Sequence, residues 1–186
     1  QLSKGQNMSA VQIQGNASGT GTLTIAAPNT NTNRTLTLPD LTGTLAVNGP
    51  AFSAYKGGTA QSVASTTFTK ITYDLEEFDT NSNFASSRFT PTVAGYYQIN
   101  ATTYVQAVSA MTRNISVIYK NGSAFKYGND NTPALTTESR SVVSSLIYFN
   151  GSTDYVEIYI LATGTTLTVV GTSDSTYFSG AMVRAA

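Results

Sequence analysis

The chain has 186 residues, 10 Lys+Arg against 10 Asp+Glu, a formal net charge of zero, and no basic stripe, which excludes electrostatic binding to nucleic acid. It contains neither Cys nor His, so disulfides are ruled out and the commonest general base and metal ligand is missing. Charged residues make up only 11%, against about 25% in an average globular domain, and polarity is carried instead by 30 Thr, 20 Ser and 14 Asn, a composition that suits a secreted or particle-borne β-protein. No apolar run approaches the ~20 residues that span a bilayer, so membrane insertion is not expected. The first residues do not form a signal peptide. A start at Gln1 rather than Met is expected of a processed or trimmed piece of something longer.

Residues 1–49 contain no aromatic side chain, whereas all 8 Phe and 11 Tyr fall from Phe52 onward. The break at residues 48–50 (Asn-Gly-Pro) reads as a turn or linker. This predicts two parts, a shaft or neck segment over 1–49 and a head over 50–186. In the first part, residues 22–25 (Thr-Leu-Thr-Ile) and 35–38 (Thr-Leu-Thr-Leu) are near copies with the two-residue period of a strand. A turn-rich segment separates them, and residues 43–47 give a third piece. One copy buries almost nothing. Three copies around an axis meet through Leu23, Ile25, Leu36, Leu38 and Leu45, which predicts a thin trimeric shaft; the alternative is a disordered Thr/Asn-rich leader.

The second part reads as strands throughout. They are predicted at 52–55, 67–73, 95–105, 113–120 and 123–127, the last two joined by the Asn121-Gly122 hairpin signal. Further strands are predicted at 141–149, 155–161, 166–170 and 176–183, with Asn150-Gly151 read as a second hairpin. No segment shows a convincing 3.6-residue period, so a sandwich, barrel or jelly roll is expected. Two strands are apolar on both faces. In one, Val143, Ile147 and Phe149 oppose Val142, Leu146 and Tyr148. In the other, Val156, Ile158 and Ile160 oppose Tyr155, Tyr159 and Leu161. An isolated antiparallel sandwich needs one buried face per sheet. The surplus face predicts a second copy of the chain, with Tyr148, Tyr155 and Tyr159 in the interface.

Ordered signposts over residues 51–186 resemble one family. Residues 52–54 (Phe-Ser-Ala) resemble its opening strand. Residues 89–97 (Phe-Thr-Pro-Thr-Val-Ala-Gly-Tyr-Tyr) resemble its pattern of a phenylalanine, a proline, a glycine and a tyrosine in that order. Residues 118–122 (Ile-Tyr-Lys-Asn-Gly) resemble its strand ending in lysine-asparagine-glycine, and 176–180 (Thr-Tyr-Phe-Ser-Gly) its closing strand. The family is that of complement-component-q globular heads and tumour-necrosis-factor-like domains. The resemblance implies an all-β, ten-stranded jelly roll assembled as a homotrimer. The chain departs from it where residues 150–154 (Asn-Gly-Ser-Thr-Asp) replace the usual glycine-aspartate, and where the frequent tryptophan is absent. No collagen-like repeat precedes the head. Instead residues 21–45 resemble a segment common in bacteriophage tail-fibre proteins.

The two resemblances together imply a trimeric fibre-tip protein of a virion, or of a bacterial surface fibre. It would attach to a host-cell glycan or protein receptor and connect to more N-terminal fibre or particle components. A purely structural fibre cap, a capsid decoration and a bacterial adhesin are the alternatives. An enzyme is not expected. The only carboxylate cluster, Glu76, Glu77 and Asp79, reads as a solvated loop after a strand, and Ser chemistry lacks a His base. No cofactor is expected; calcium is weighed at Asp130 or Asp174, both in oxygen-rich loops. Most of the seven Asn-x-Ser/Thr sequons are expected by chance at this composition. Counting strands back from the C-terminus places the turns at 121–122 and 150–151 beside the shaft, and the loops 106–112, 128–138 and 162–175 at the tip. The tip residues expected to bind a receptor are Arg113, Tyr127, Asn129, Asp130, Asn131 and Asp174.

Overall fold

The structure is a computed structural model that describes residues 18–22, 31, 33, 49–132 and 136–186. Its contacts divide the chain into two units, Gln1–Thr42 and Gly43–Ala186. The shaft strands, and with them Leu23, Ile25, Leu36, Leu38 and Leu45, lie outside the described residues.

Among the described residues there is no helix and there are thirteen strands: β1 (Ala51–Tyr55), β2 (Gln61–Val63), β3 (Thr69–Lys70), β4 (Leu75–Asp79), β5 (Phe84–Ala85), β6 (Arg88–Phe89), β7 (Gly95–Met111), β8 (Arg113–Lys120), β9 (Ser123–Tyr127), β10 (Thr136–Phe149), β11 (Val156–Thr163), β12 (Leu167–Val169) and β13 (Tyr177–Ala185). The number exceeds ten because β2, β3, β5, β6 and β12 are pieces of only two or three residues. The strands form two antiparallel sheets. The first runs β10-β7-β13-β1-β4, with β12 and β2 beside the far part of β7. The second runs β9-β8-β11, and both β3 and β6 pair with the other edge of β11. The chain alternates between them to give a jelly roll.

Period-2 alternation builds the core. In β7, Tyr97, Ile99, Ala101 and Val105 point inward while Tyr96, Gln98 and Asn100 point out. In β10, Val143, Ile147 and Phe149 point inward. Phe52 stands at the centre of the aromatic part, its ring 4.2 Å from Phe89, 4.8 Å from Phe178 and 5.2 Å from Phe84. Gly180 lets β13 lie this close: a Cβ there would come within 2.7 Å of Ile99 Cδ1 and 2.9 Å of the Phe52 ring.

Several expected elements change. The Asn121-Gly122 hairpin forms, with both residues at positive φ (52° and 80°) as a two-residue primed turn requires. Asn150-Gly151 is not a hairpin. β10 pairs with β7 and β11 pairs with β8, so residues 150–155 carry the chain from one sheet to the other. The Asn150 side chain supports that corner by accepting from the backbone N–H groups of Ser152, Thr153 and Asp154. The strand expected over 67–73 shrinks to β3, and residues 106–111 continue β7 instead of forming a loop. Glu76, Glu77 and Asp79 sit on the edge strand β4, not in a loop; Glu77 accepts from the Ser53 hydroxyl at 2.7 Å, and Asp79 accepts from the Phe84 N–H at 2.7 Å.

One end of the sandwich holds Pro50 and Ala186, tied by Met182 N–H to Pro50 O (3.0 Å) and Ala186 N–H to Ala94 O (3.1 Å). Gly151 packs against Ala94, and Asn121 N–H donates to Tyr155 O at 3.1 Å, so both Asn-Gly turns share this end. The opposite end holds the β7–β8 turn at Thr112, the 128–131 loop and the β11–β12 turn.

Candidate functional site

At the far end the structure brings together four of the six expected tip residues. Arg113, the first residue of β8, forks onto Asp130: its Nε lies 2.9 Å from Oδ1 and its Nη2 2.6 Å from Oδ2. The guanidinium holds the Asp130 carboxyl below its usual range. Asn131 pairs through its backbone with Asn114 and donates from its side chain to Arg140 O. The Asn129 side chain donates to Asn131 Oδ1 at 2.7 Å and accepts from Val142 N–H at 2.6 Å. These amides therefore fasten the loop to β8 and β10. With both oxygens of Asp130 facing Arg113, the residue is poorly suited to calcium, and no group of three acidic side chains able to hold a metal occurs among the described residues.

Asp174 stands apart. β12 turns back from the far end, and Thr176 accepts from Tyr104 N–H at 3.2 Å, seven residues of β7 short of Met111. That places the 170–176 loop roughly 20 Å below the tip. Asp174 accepts from the Ser175 hydroxyl there.

The second sheet covers part of its own outer face and leaves Tyr127, Phe125 and Phe68 partly exposed. Val117 and Ile115 are buried outside the main core, on the face of β8 that carries Tyr119. Tyr119 stacks on Tyr159 at 3.9 Å, and Phe68 makes edge contacts with Tyr119 and Tyr127. Tyr127 thus belongs to an aromatic patch on the flank. Tyr155 lies beneath the Arg88 guanidinium at 3.8 Å. Sequence reasoning grouped Tyr155 and Tyr159 with Tyr148, yet the structure puts them on different sheets.

The first sheet leaves its outer face bare. On β10, Leu146 is 54% exposed, Val142 51% and Tyr148 44%; Tyr96 and Val183 beside them are exposed as well. Tyr148 faces Tyr96 across the strands at 5.5 Å. Next to this row, small residues on β13 (Ser179, Gly180, Ala181) and Ala51 leave a shallow depression of about 240 Å³, rimmed by Phe78. Tyr96 and Phe78 were not singled out from the sequence. The alternation of residues 95–100, which places Tyr96 opposite Tyr97, was the signal for the first; Phe78 sat in a segment read as a loop.

Sequence reasoning also missed a buried charge. The Glu157 side chain is 4% exposed, and its Oε1 receives Lys70 Nζ at 2.7 Å and Arg88 Nη2 at 2.9 Å. Burial pushes this carboxyl up, but the bonds from Lys70 and Arg88 outweigh it and leave the group below its ordinary value of 4.5. A depressed folded value means stability that is present above the unfolded value and lost as pH falls through the folded one. The urea midpoint should therefore fall as pH drops below about 4.5, and Glu157→Gln should flatten that acid limb. An unchanged limb in the variant would rule out this pair as its source.

No family model matches the chain, and no curated protein matches it. Solved structures do. The globular domain of zebrafish complement 1qA superposes with a TM-score of 0.56 at 15% identity, over 74% of this chain and 99% of that one. Murine APRIL at pH 8.5 gives 0.53 at 6% identity, over 72% and 98%. Eiger TNF from S. frugiperda gives 0.53 at 8%, over 74% and 95%. The fold is the jelly roll of complement 1q and tumour-necrosis-factor-like domains.

Proposed function

We propose that the head assembles as a homotrimer through the outer face of the β10-β7-β13-β1-β4 sheet, and that the trimer ends a fibre and attaches it to a host-cell surface receptor without covalent chemistry. The observation that carries this reading is the bare row of Val142, Leu146, Tyr148 and Tyr96 beside a depression lined by small residues, on a chain with few charges to keep such a face soluble. On the second sheet the stack of Tyr119 on Tyr159 and the edge contacts of Phe68 bury part of the aromatic surface, which makes the first sheet the better candidate to face partner copies. Residues 1–49, of which 21–45 resemble a bacteriophage fibre segment, would form the shaft of a virion tail fibre or a bacterial surface fibre. Three equivalent heads give avidity, so each contact with the receptor is allowed to be weak.

A second reading, a structural cap, draws on the far end: Arg113, Asp130, Asn129 and Asn131 spend their polar atoms on one another and on the backbone. Adsorption of labelled protein to host cells separates the two. The attachment reading expects saturable binding that unlabelled protein displaces; a cap would leave the cells unlabelled.

A further inference from the structure

The segment between β4 and β7 folds beside the edge of the second sheet and leaves an open groove of about 430 Å³. That volume lies within the range of small-molecule sites and far exceeds a single oxyanion. Lys70 and Arg88 stand in its wall, with Ser82, Ser86, Thr90 and Thr92. Three residues of this short segment, Ser82 (φ 52°), Ser86 (φ 51°) and Ser87 (φ 57°), occupy the left-handed backbone region that favours glycine. Backbone cost of this kind collects where a loop is held in a shape that serves a ligand.

The charges do not balance. Two cations converge on one carboxylate oxygen: Lys70 Nζ, Arg88 Nε and Arg88 Nη2 all bond to Glu157 Oε1. Glu157 is buried, whereas the Lys70 and Arg88 side chains remain 29% and 42% exposed. Lys70, Arg88 and Glu157 together therefore carry one surplus positive charge at the wall of the groove. Lys70 also donates to Ser86 O at 2.9 Å, and Arg88 lies flat on Tyr155, so both cations are fixed in place before any ligand arrives. The hydroxyls of Ser82, Ser86 and Thr90 have no partner within the described residues.

We infer that this groove binds an acidic sugar, with its carboxylate on Lys70 and Arg88 and its ring hydroxyls on Ser82, Ser86 and Thr90. A surplus cation selects the oxyanion, and a wall of uncommitted hydroxyls matches a polyol. The groove opens on the flank, beside the β6–β11 pairing. Ligand binding stands on the groove alone; its use in adhesion rests on the attachment reading above.

The test is a titration of the native 186-residue protein with glucuronate, glucose and sodium sulfate, followed by amide chemical shifts. Glucuronate should saturate in the low-millimolar range, with shifts confined to residues near 70, 82–92 and 157, and glucose should bind at least about tenfold more weakly. Lys70→Gln leaves one cation against Glu157 and should abolish the preference for the acid. Thr90→Val, nearly isosteric and far from the ion pairs in chemistry, should weaken glucuronate and leave sulfate unchanged. The inference is overturned if glucuronate fails to saturate by tens of millimolar, if glucose binds equally well, or if sulfate binds as tightly as glucuronate, which would mark an adventitious ion only. Cell adsorption is scored separately. Protein that binds glucuronate but does not adsorb keeps the groove and loses the attachment reading; protein that adsorbs without binding glucuronate does the reverse.

Discussion

Replacing Leu146 and Tyr148 together by glutamate should convert the protein from a trimer to single chains of 19.6 kDa in sedimentation, with an unchanged β-type circular dichroism spectrum. Both side chains lie on the outer face of β10, half exposed in the single chain, so the substitutions remove nothing from the core. In a trimer they affect six side chains at once. Each large apolar residue that an interface buries contributes roughly 1.5 kcal/mol or more, and each glutamate must instead be desolvated without a partner. Lys120, whose Nζ lies 6.0 Å from the Tyr148 ring, is already bound to Asp154 at 3.0 Å and to Tyr148 O at 2.7 Å. The matching change on the flank, Tyr127→Glu, should leave the mass unchanged. If the double variant keeps the native mass, the first sheet is not the interface.

Phe52→Ala should produce the largest loss of stability of any single core change, about 3–5 kcal/mol, read as a fall in the urea midpoint. Phe52 is buried between the sheets and touches Phe84, Phe89 and Phe178. Truncation opens a cavity walled by three rigid rings, which cannot collapse easily, and it also removes the stacking between them. The comparison must hold chain concentration fixed, because assembly adds to apparent stability by mass action. A loss under about 1 kcal/mol would mean that the aromatic cluster is not the core's keystone.

The sequence was most legible where local chemistry and fold agree. Phe52, Phe89, Tyr97, Phe178 and Gly180 act as signposts because the aromatic core needs them in that order, and Asn121-Gly122 forms a hairpin because its neighbours pair. Asn150-Gly151 carries the same dipeptide between two apolar strands, but those strands belong to different sheets, a fact set by long-range pairing that no local signal records. The two-faced pattern of β10 did point to a bare face, while the same pattern in β11 did not, since Phe68 and Tyr119 arrive from distant positions to cover it. Asp174 was misplaced at the tip because β12 takes back the height gained by β11. The Lys70–Glu157–Arg88 cluster was illegible: its members lie 87 and 69 residues from each other's partner and share no motif.

Copies of the same chain are proposed to cover the outer face of the first sheet. Light scattering of the 186-residue protein at micromolar concentration tests this most directly. Three times the single-chain mass of 19.6 kDa is expected, unchanged on tenfold dilution. A mass equal to one chain at that concentration would contradict it.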